Sequence, residues 1–243
     1  MPAMEEKMQV GVYGLGRFGS FWAKELASHG FSVKGYGRSA TQAPEGVTLS
    51  TEDEVLSCSV LFYCVAISSF RSVLEKTAHR ISDHTVVMDT CSVKLYPAKL
   101  MRQLLPKQVQ SIATHPMFGP DSGKDGVQGL PLVICPVHCE TKTLQFWTDE
   151  FSRWDLEVIS MSCDQHDREA AWSQGITHFV GRTLSELSLT DTLLATKGYR
   201  TLMTVVEQTC NDPMQLFYDL QRFNPYARQM RMGLKGALDT VME

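Results

Sequence analysis

The chain has 243 residues, 43% hydrophobic and 21% charged, with a formal charge of −4 and a pI near 6.0. This is the balance of a soluble globular protein large enough for two domains, and it gives no electrostatic reason to expect a nucleic acid or an anionic membrane as partner. No apolar run is long enough to span a bilayer, and residues 1–7 have neither a signal-peptide core nor a basic transit-peptide character, so a cytoplasmic location is expected.

In chain order, a short apolar strand at 10–13 runs directly into Gly14, Gly16 and Gly19, and a helix carrying Phe21, Trp22 and Leu26 follows. A dinucleotide pyrophosphate needs this arrangement. The first glycine allows the tight turn, the second lets backbone approach the phosphates, and the third lets the helix pack on the strand with its N–H groups facing the anion. Gly14, Gly16, Arg17, Phe18 and Gly19 are therefore expected to bind cofactor. The next strand, 31–36, ends before Gly37-Arg38-Ser39. An NAD enzyme usually has an acid at its end to accept from the ribose hydroxyls. Here Gly37 occupies that place, while Arg38 and Ser39 suit a 2′-phosphate, so NADP is expected.

Further strands are predicted at 60–65, 85–89, 110–114 and 131–135, with helices at 69–78 and 96–105 between them. Alternating strands and helices predict a doubly wound α/β parallel sheet. Cys135-Pro136-Val137-His138-Cys139 has too few ligands for zinc and reads as a loop after a strand, so no metal is expected. The seven cysteines, an odd number, read as reduced thiols. From about 160 the pattern becomes helical: one long helix over 164–189, then 197–211, 213–222 and 225–242. The predicted domains are 1–160, dinucleotide-binding, and 161–243, helical.

Two clusters lie just past predicted strand ends, where open α/β sheets bind ligands: Asp89-Thr90-Cys91-Ser92-Val93-Lys94 and Thr114-His115-Pro116-Met117-Phe118-Gly119-Pro120. On the long helix, at about 100° per residue, Asp167, Gln174 and His178 fall within about 40° of one another. Trp172, Ile176, Phe179, Val180 and Leu187 fall opposite, which reads as an amphipathic helix. His166 and His178 lie roughly 18 Å apart along such a helix and cannot share a metal.

Together with His166-Asp167, Thr196-Lys197-Gly198-Tyr199 and Phe223-Asn224-Pro225, these runs resemble the prephenate/arogenate dehydrogenase family of tyrosine biosynthesis. The likeness covers the chain from the first strand to about residue 230 and is nearest to the plant-type arogenate branch, which also has Arg-Ser after the second strand and uses NADP. The resemblance implies an N-terminal Rossmann-type sheet with a C-terminal all-helical dimerisation domain. It also implies NADP-dependent oxidative decarboxylation of L-arogenate to L-tyrosine, by a homodimer with its substrate cleft at the domain junction.

In that chemistry hydride leaves the hydroxyl-bearing ring carbon, and loss of carbon dioxide makes the ring aromatic. The resemblance makes His115 the base for the hydroxyl proton and Ser92 the residue that orients the hydroxyl. It puts His178 and Gln174 against substrate, with His166 in support. Asp167 matches an acid associated with arogenate preference, because arogenate carries an ammonium where prephenate carries a keto group. Many relatives have two arginines four residues apart after a glycine turn. Here Arg200 stands first and Thr204 takes the second place, which leaves Lys124, Lys197, Arg200 and Arg222 as candidate cations for a substrate carboxylate.

Prephenate or dual specificity remains open. So do a related dehydrogenase acting on a hydroxy acid or an imine, and a protein that binds NADP(H) in a regulatory role. Apolar runs at 193–194, 202–206 and 216–217 suit a dimer interface. No ligand-sensing domain fits in this length, so any tyrosine feedback is expected at the active site.

Overall fold

A computed structural model of the chain describes residues 7–243; residues 1–6, part of the stretch read above for leader character, lie outside the described residues. The chain divides into two compact units, the first ending at Cys163 and the second running Asp164–Glu243.

The first unit is an eight-stranded sheet. Its strands are β1 (Gln9–Tyr13), β2 (Ser32–Tyr36), β3 (Val47–Leu49), β4 (Val60–Tyr63), β5 (Val86–Asp89), β6 (Gln110–Pro116), β7 (Pro131–His138) and β8 (Glu157–Ser160), in the spatial order β3-β2-β1-β4-β5-β6-β7-β8. The first six follow the doubly wound order 3-2-1-4-5-6. Helices α1 (Arg17–Ser28), α2 (Glu52–Leu56), α3 (Ile67–Thr77), α4 (Leu95–Leu104) and α5 (Thr141–Arg153) connect or flank the strands. β4 is buried along its whole length, and its neighbours Leu61 and Phe62 point to opposite faces, as a sheet covered on both sides requires. On the Phe62 face an aromatic core forms, with the Trp22 ring 5.7 Å from Phe62 and 5.7 Å from Trp154. That core fixes α1 against the sheet.

Three sequence expectations change in this unit. The sheet is not wholly parallel, because β6 and β7 pair antiparallel, His115 opposite Val133. A parallel return needs a crossover of a dozen or more residues, usually a helix. The segment between these strands contains no helix, so the chain folds straight back. Cys135–His138 is strand, not loop: β7 runs through to His138, with a register shift at Ser111/Ile112 beside Pro136, whose missing N–H suits an irregular ladder. α2, β3 and α5 were not predicted. α2 begins at a capping box in which Thr51 Oγ1 accepts from Glu54 N at 3.3 Å and Glu54 Oε2 accepts from Thr51 N at 2.8 Å.

The long helix predicted over 164–189 is three segments: α6 (Cys163–Ala170), a π-helical turn over Ala171–Gly175, and α7 (Ile176–Ser185). The π turn ends at Gly175, where a Cβ would stand 3.2 Å from the Ala170 carbonyl oxygen. Gln221 Nε2 donates to the Gly175 carbonyl at 3.2 Å, and Arg231 Nη1 holds Gln221 Oε1 at 2.7 Å, so the widened turn is supported from the side. The second unit is completed by α8 (Lys197–Asn211), α9 (Met214–Phe223) and α10 (Ala227–Met242). Among the described residues no helix is long and apolar enough to cross a membrane.

Candidate active site

β1 delivers the chain into the glycine turn. Gly14 has φ +111°, in the region that favours glycine, and its N–H donates to the Tyr36 carbonyl at 2.7 Å. A Cβ on Gly19 would stand 1.8 Å from the Gly14 carbonyl oxygen, so that glycine is what lets α1 sit on the turn. A Cβ on Gly16, by contrast, would meet nothing within 4 Å. Gly16 caps α1 with no side-chain hydrogen bond, and the first turn holds no acidic residue. Open space ahead of uncapped N–H groups at the positive end of a helix dipole fits a pyrophosphate. Of the other predicted cofactor residues, the Arg17 side chain reaches Asp121 Oδ1 at 2.5 Å, Phe18 stacks on Trp22 with ring centres 6.2 Å apart, and Arg38 and Ser39 are exposed just past β2.

The second cluster lies at the ends of β5 and β6, on the same carboxyl edge of the sheet. Its frame is a fully buried ion pair. Lys94 Nζ donates to Asp89 Oδ2 at 2.5 Å and to the Thr114 carbonyl at 2.5 Å, and both side chains are 0% exposed. Asp89 Oδ2 also accepts from Cys91 N at 3.0 Å, and the Asp89 carbonyl accepts from Thr114 Oγ1 at 2.6 Å. The loop carrying Ser92 is thereby tied to the strand residue next to His115. Ser92 is half-buried and His115 is 2% exposed. Burial pushes the Asp89 carboxyl up, and it would lower the Lys94 ammonium on its own. The Asp89 carboxylate against that ammonium reverses the effect and holds it above its ordinary value. Burial likewise raises the Cys91 thiol well above its usual range. Asp89 and Lys94 stood inside a motif noted in the sequence, but their pairing did not.

In the helical unit Asp167 and His178 of the polar stripe are buried and Gln174 is half-buried. Asp167 is 0% exposed, its Oδ1 bonded to His166 Nδ1 at 2.8 Å, and its carbonyl accepts from Asn224 Nδ2 at 2.8 Å. Gln174 lies inside the π turn, a feature that recurs at functional sites. His178, buried, has Nε2 3.8 Å from Asp212 Oδ2. Burial lowers the His178 pKa; Asp212 opposes this and Arg182 adds to it, and the net shift favours the neutral ring. Arg182, which sequence reading passed over, is half-buried one turn beyond His178, and its Nη2 donates to the Asp212 carbonyl at 2.5 Å. The four cations singled out in the sequence are all exposed: Lys124, Lys197 at the start of α8, Arg200, and Arg222 over the Phe223 ring at 5.6 Å. Among the described residues no group of three or more His, Cys, Asp or Glu side chains could hold a metal ion.

Comparison with known proteins bears on both units. Residues 22–147 match the family model "Prephenate dehydrogenase, nucleotide-binding domain", and residues 183–243 match "TYRAAT1-like, C-terminal domain". The chain is 37% identical over 235 residues to Arogenate dehydrogenase 1, chloroplastic, of Arabidopsis thaliana, an alignment covering 92% of this chain and 37% of that protein. It is 34% identical over 251 residues to Arogenate dehydrogenase 2, chloroplastic, of the same plant, covering 96% of this chain and 69% of that one. The chain thus spans well under half of the first relative's length. Among solved structures, prephenate dehydrogenase from Aquifex aeolicus, crystallised with hydroxyphenyl propionate and NAD+, superposes with a TM-score of 0.74 at 18% identity, over 98% of this chain and 90% of that one. That likeness is one of fold.

Proposed function

We propose, from the premise that this chain belongs to the prephenate/arogenate dehydrogenase family, that it carries out NADP-dependent oxidative decarboxylation of L-arogenate to L-tyrosine. The observation that carries this reading is the buried Asp89–Lys94 pair. It ties the loop that carries Ser92 to Thr114, the chain neighbour of His115, on the sheet edge that also bears the Gly14–Gly19 turn, which supports a joint role for Ser92 and His115.

The uncapped start of α1 would hold the pyrophosphate and Arg38 with Ser39 the 2′-phosphate, and the bound cofactor supplies a hydride acceptor. His115 accepts the proton of the substrate hydroxyl as its carbon gives up hydride, and Ser92 orients that hydroxyl. The ring carboxylate then departs as carbon dioxide, its bonding pair entering the ring, and the carbonyl oxygen takes the proton back from His115 as the aromatic phenol forms. Atoms balance as arogenate and NADP+ giving tyrosine, carbon dioxide and NADPH. In this reading His178 and Gln174 bind substrate, and residues 161–243 form the substrate and dimerisation domain. The exposed Trp172, Leu193, Leu194, Met232 and Leu238 of that unit support a homodimer. The seven cysteines are free thiols, which suits a reducing compartment, the cytoplasm in our reading. Tyrosine, as product, is expected to compete with substrate.

One observation favours a second reading, prephenate as a comparable substrate. The Asp167 carboxylate is fully buried and bonded to His166, so it offers less to an arogenate ammonium than an open acid would. NADPH formation at 340 nm, followed with arogenate and prephenate in parallel and repeated with NAD, tests both. Turnover of arogenate with NADP, lost in His115→Ala, is expected. Turnover of prephenate alone would sink the arogenate assignment, and no turnover of either would sink the enzyme.

A further inference from the structure

Buried polar atoms in folded proteins nearly always have a partner, so those that lack one call for an explanation. Five such side-chain atoms occur among the described residues, and three of them, Gln174 Oε1, His178 Nδ1 and Arg182 Nε, sit at positions four residues apart along one helical run. Four-residue spacing makes neighbours of successive side chains on a helix, Gln174 of His178 and His178 of Arg182.

Their chemistry is not uniform. Arg182 Nε can only donate, and it carries positive charge; its Nη2 is engaged by the Asp212 carbonyl. Gln174 Oε1 can only accept. His178 has its Nε2 turned to the Asp212 carboxylate at 3.8 Å, which favours the proton there and leaves Nδ1 as an acceptor. A cationic donor beside two acceptors, with the Asp212 carboxylate adding negative potential behind the imidazole, is complementary to a group that is itself anionic at one end and an N–H donor at the other.

We propose that Gln174, His178 and Arg182 form a receptor for the zwitterionic headgroup of an α-amino acid, Arg182 Nε binding its carboxylate and His178 Nδ1 and Gln174 Oε1 its ammonium. This rests on the reading of the chain as an aromatic amino acid dehydrogenase and deepens it. Arg182 supplies a carboxylate cation that the exposed Lys124, Lys197, Arg200 and Arg222 leave unassigned, and the ammonium is read by neutral acceptors.

The test is direct binding by calorimetry to the full chain with NADP present, using tyrosine, tyramine, which lacks the carboxylate, and 4-hydroxyphenylpropionate, which lacks the ammonium. Wild type should prefer tyrosine to either by about ten- to a hundredfold, the range of one charged hydrogen bond. Arg182→Gln should bind tyrosine and tyramine alike, while Gln174→Leu should shrink the gap between tyrosine and 4-hydroxyphenylpropionate. Should Arg182→Gln not fold, Arg182→Lys, which keeps a donor for the Asp212 carbonyl, is expected to lose most of the tyrosine-over-tyramine preference. A merely structural Arg182 would lower stability and leave the ratio intact. An unchanged ratio in the variants, or no preference in wild type, overturns the proposal. Absence of turnover on arogenate and prephenate with the preference intact would overturn only the enzymatic reading.

Discussion

Replacing Asp89 by Asn should unfold the first unit far more readily than its small change in shape suggests. The substitution keeps the side-chain volume and removes the charge that faces Lys94 Nζ at 2.5 Å, leaving an ammonium with 0% exposure and the Thr114 carbonyl as its remaining partner of these two. Breaking a buried ion pair from one side costs about 3–5 kcal/mol, since the surviving charge keeps its desolvation penalty. With a urea slope of about 2 kcal/mol/M, that moves the unfolding midpoint down by about 1.5–2.5 M. Asp89→Asn combined with Lys94→Met removes both charges and should recover most of the loss, because buried pairs replaced by apolar groups are often neutral or better. The double variant also separates stability from positioning. It should fold, yet its turnover should fall by about a hundredfold, the usual cost of misplacing reacting groups by about 1 Å. A midpoint shift below about 0.5 M in Asp89→Asn would refute the buried-charge argument. Full turnover in the double variant would refute the claim that the pair sets Ser92 and His115.

Two other consequences can be measured separately. Gly19→Ala places a methyl where the Gly14 carbonyl already stands, so it should cost about 1–3 kcal/mol or more and abolish NADP(H) fluorescence enhancement. Glu52 accepts from Tyr13 Oη at 2.6 Å, Arg80 Nη1 at 2.6 Å and Lys76 Nζ at 3.1 Å. Burial would raise its carboxyl, but these bonds bring it down to about 2 from 4.5. A depressed carboxyl stabilises the fold above its unfolded pKa and loses that contribution as pH falls toward the folded one. Glu52→Gln should therefore be less stable than wild type by about 1–2 kcal/mol at pH 7, with the gap closing near pH 2. Urea midpoints showing the same gap at both ends would disprove the assignment.

What could be read from the sequence was local. Gly14 and Gly19 announce their turn because what each answers to lies within six residues, a positive φ at Gly14 and the Gly14 carbonyl oxygen against Gly19. The capping box at Thr51 and Glu54 was equally local and marks α2 just as plainly. The antiparallel β7 was harder, because it depends on what the 117–130 segment fails to form. The Asp89–Lys94 pair was out of reach: both residues were in view, but that one side chain turns back 2.5 Å from the other, into a strand twenty residues later, is a matter of packing.

The long helical run shows where the periodicity rule itself gives way. An α-helical wheel sends Trp172, Ile176, Phe179, Val180 and Leu187 to the core and Asp167, Gln174 and His178 to solvent. Instead Asp167 and His178 are buried while Trp172 and Leu187 are 47% and 62% exposed. The π turn over Ala171–Gly175 shifts the phase partway along, so one wheel cannot describe both ends. Phase alone does not account for the inversion, because hydrophobic burial would still favour the opposite arrangement. A buried polar face is stable only when its groups are bonded. Asp167 meets that condition through His166, whereas Gln174 Oε1, His178 Nδ1 and Arg182 Nε do not. The stretch that most contradicts sequence patterning is thus the stretch that most needs a ligand, as expected where function rather than stability has chosen the residues.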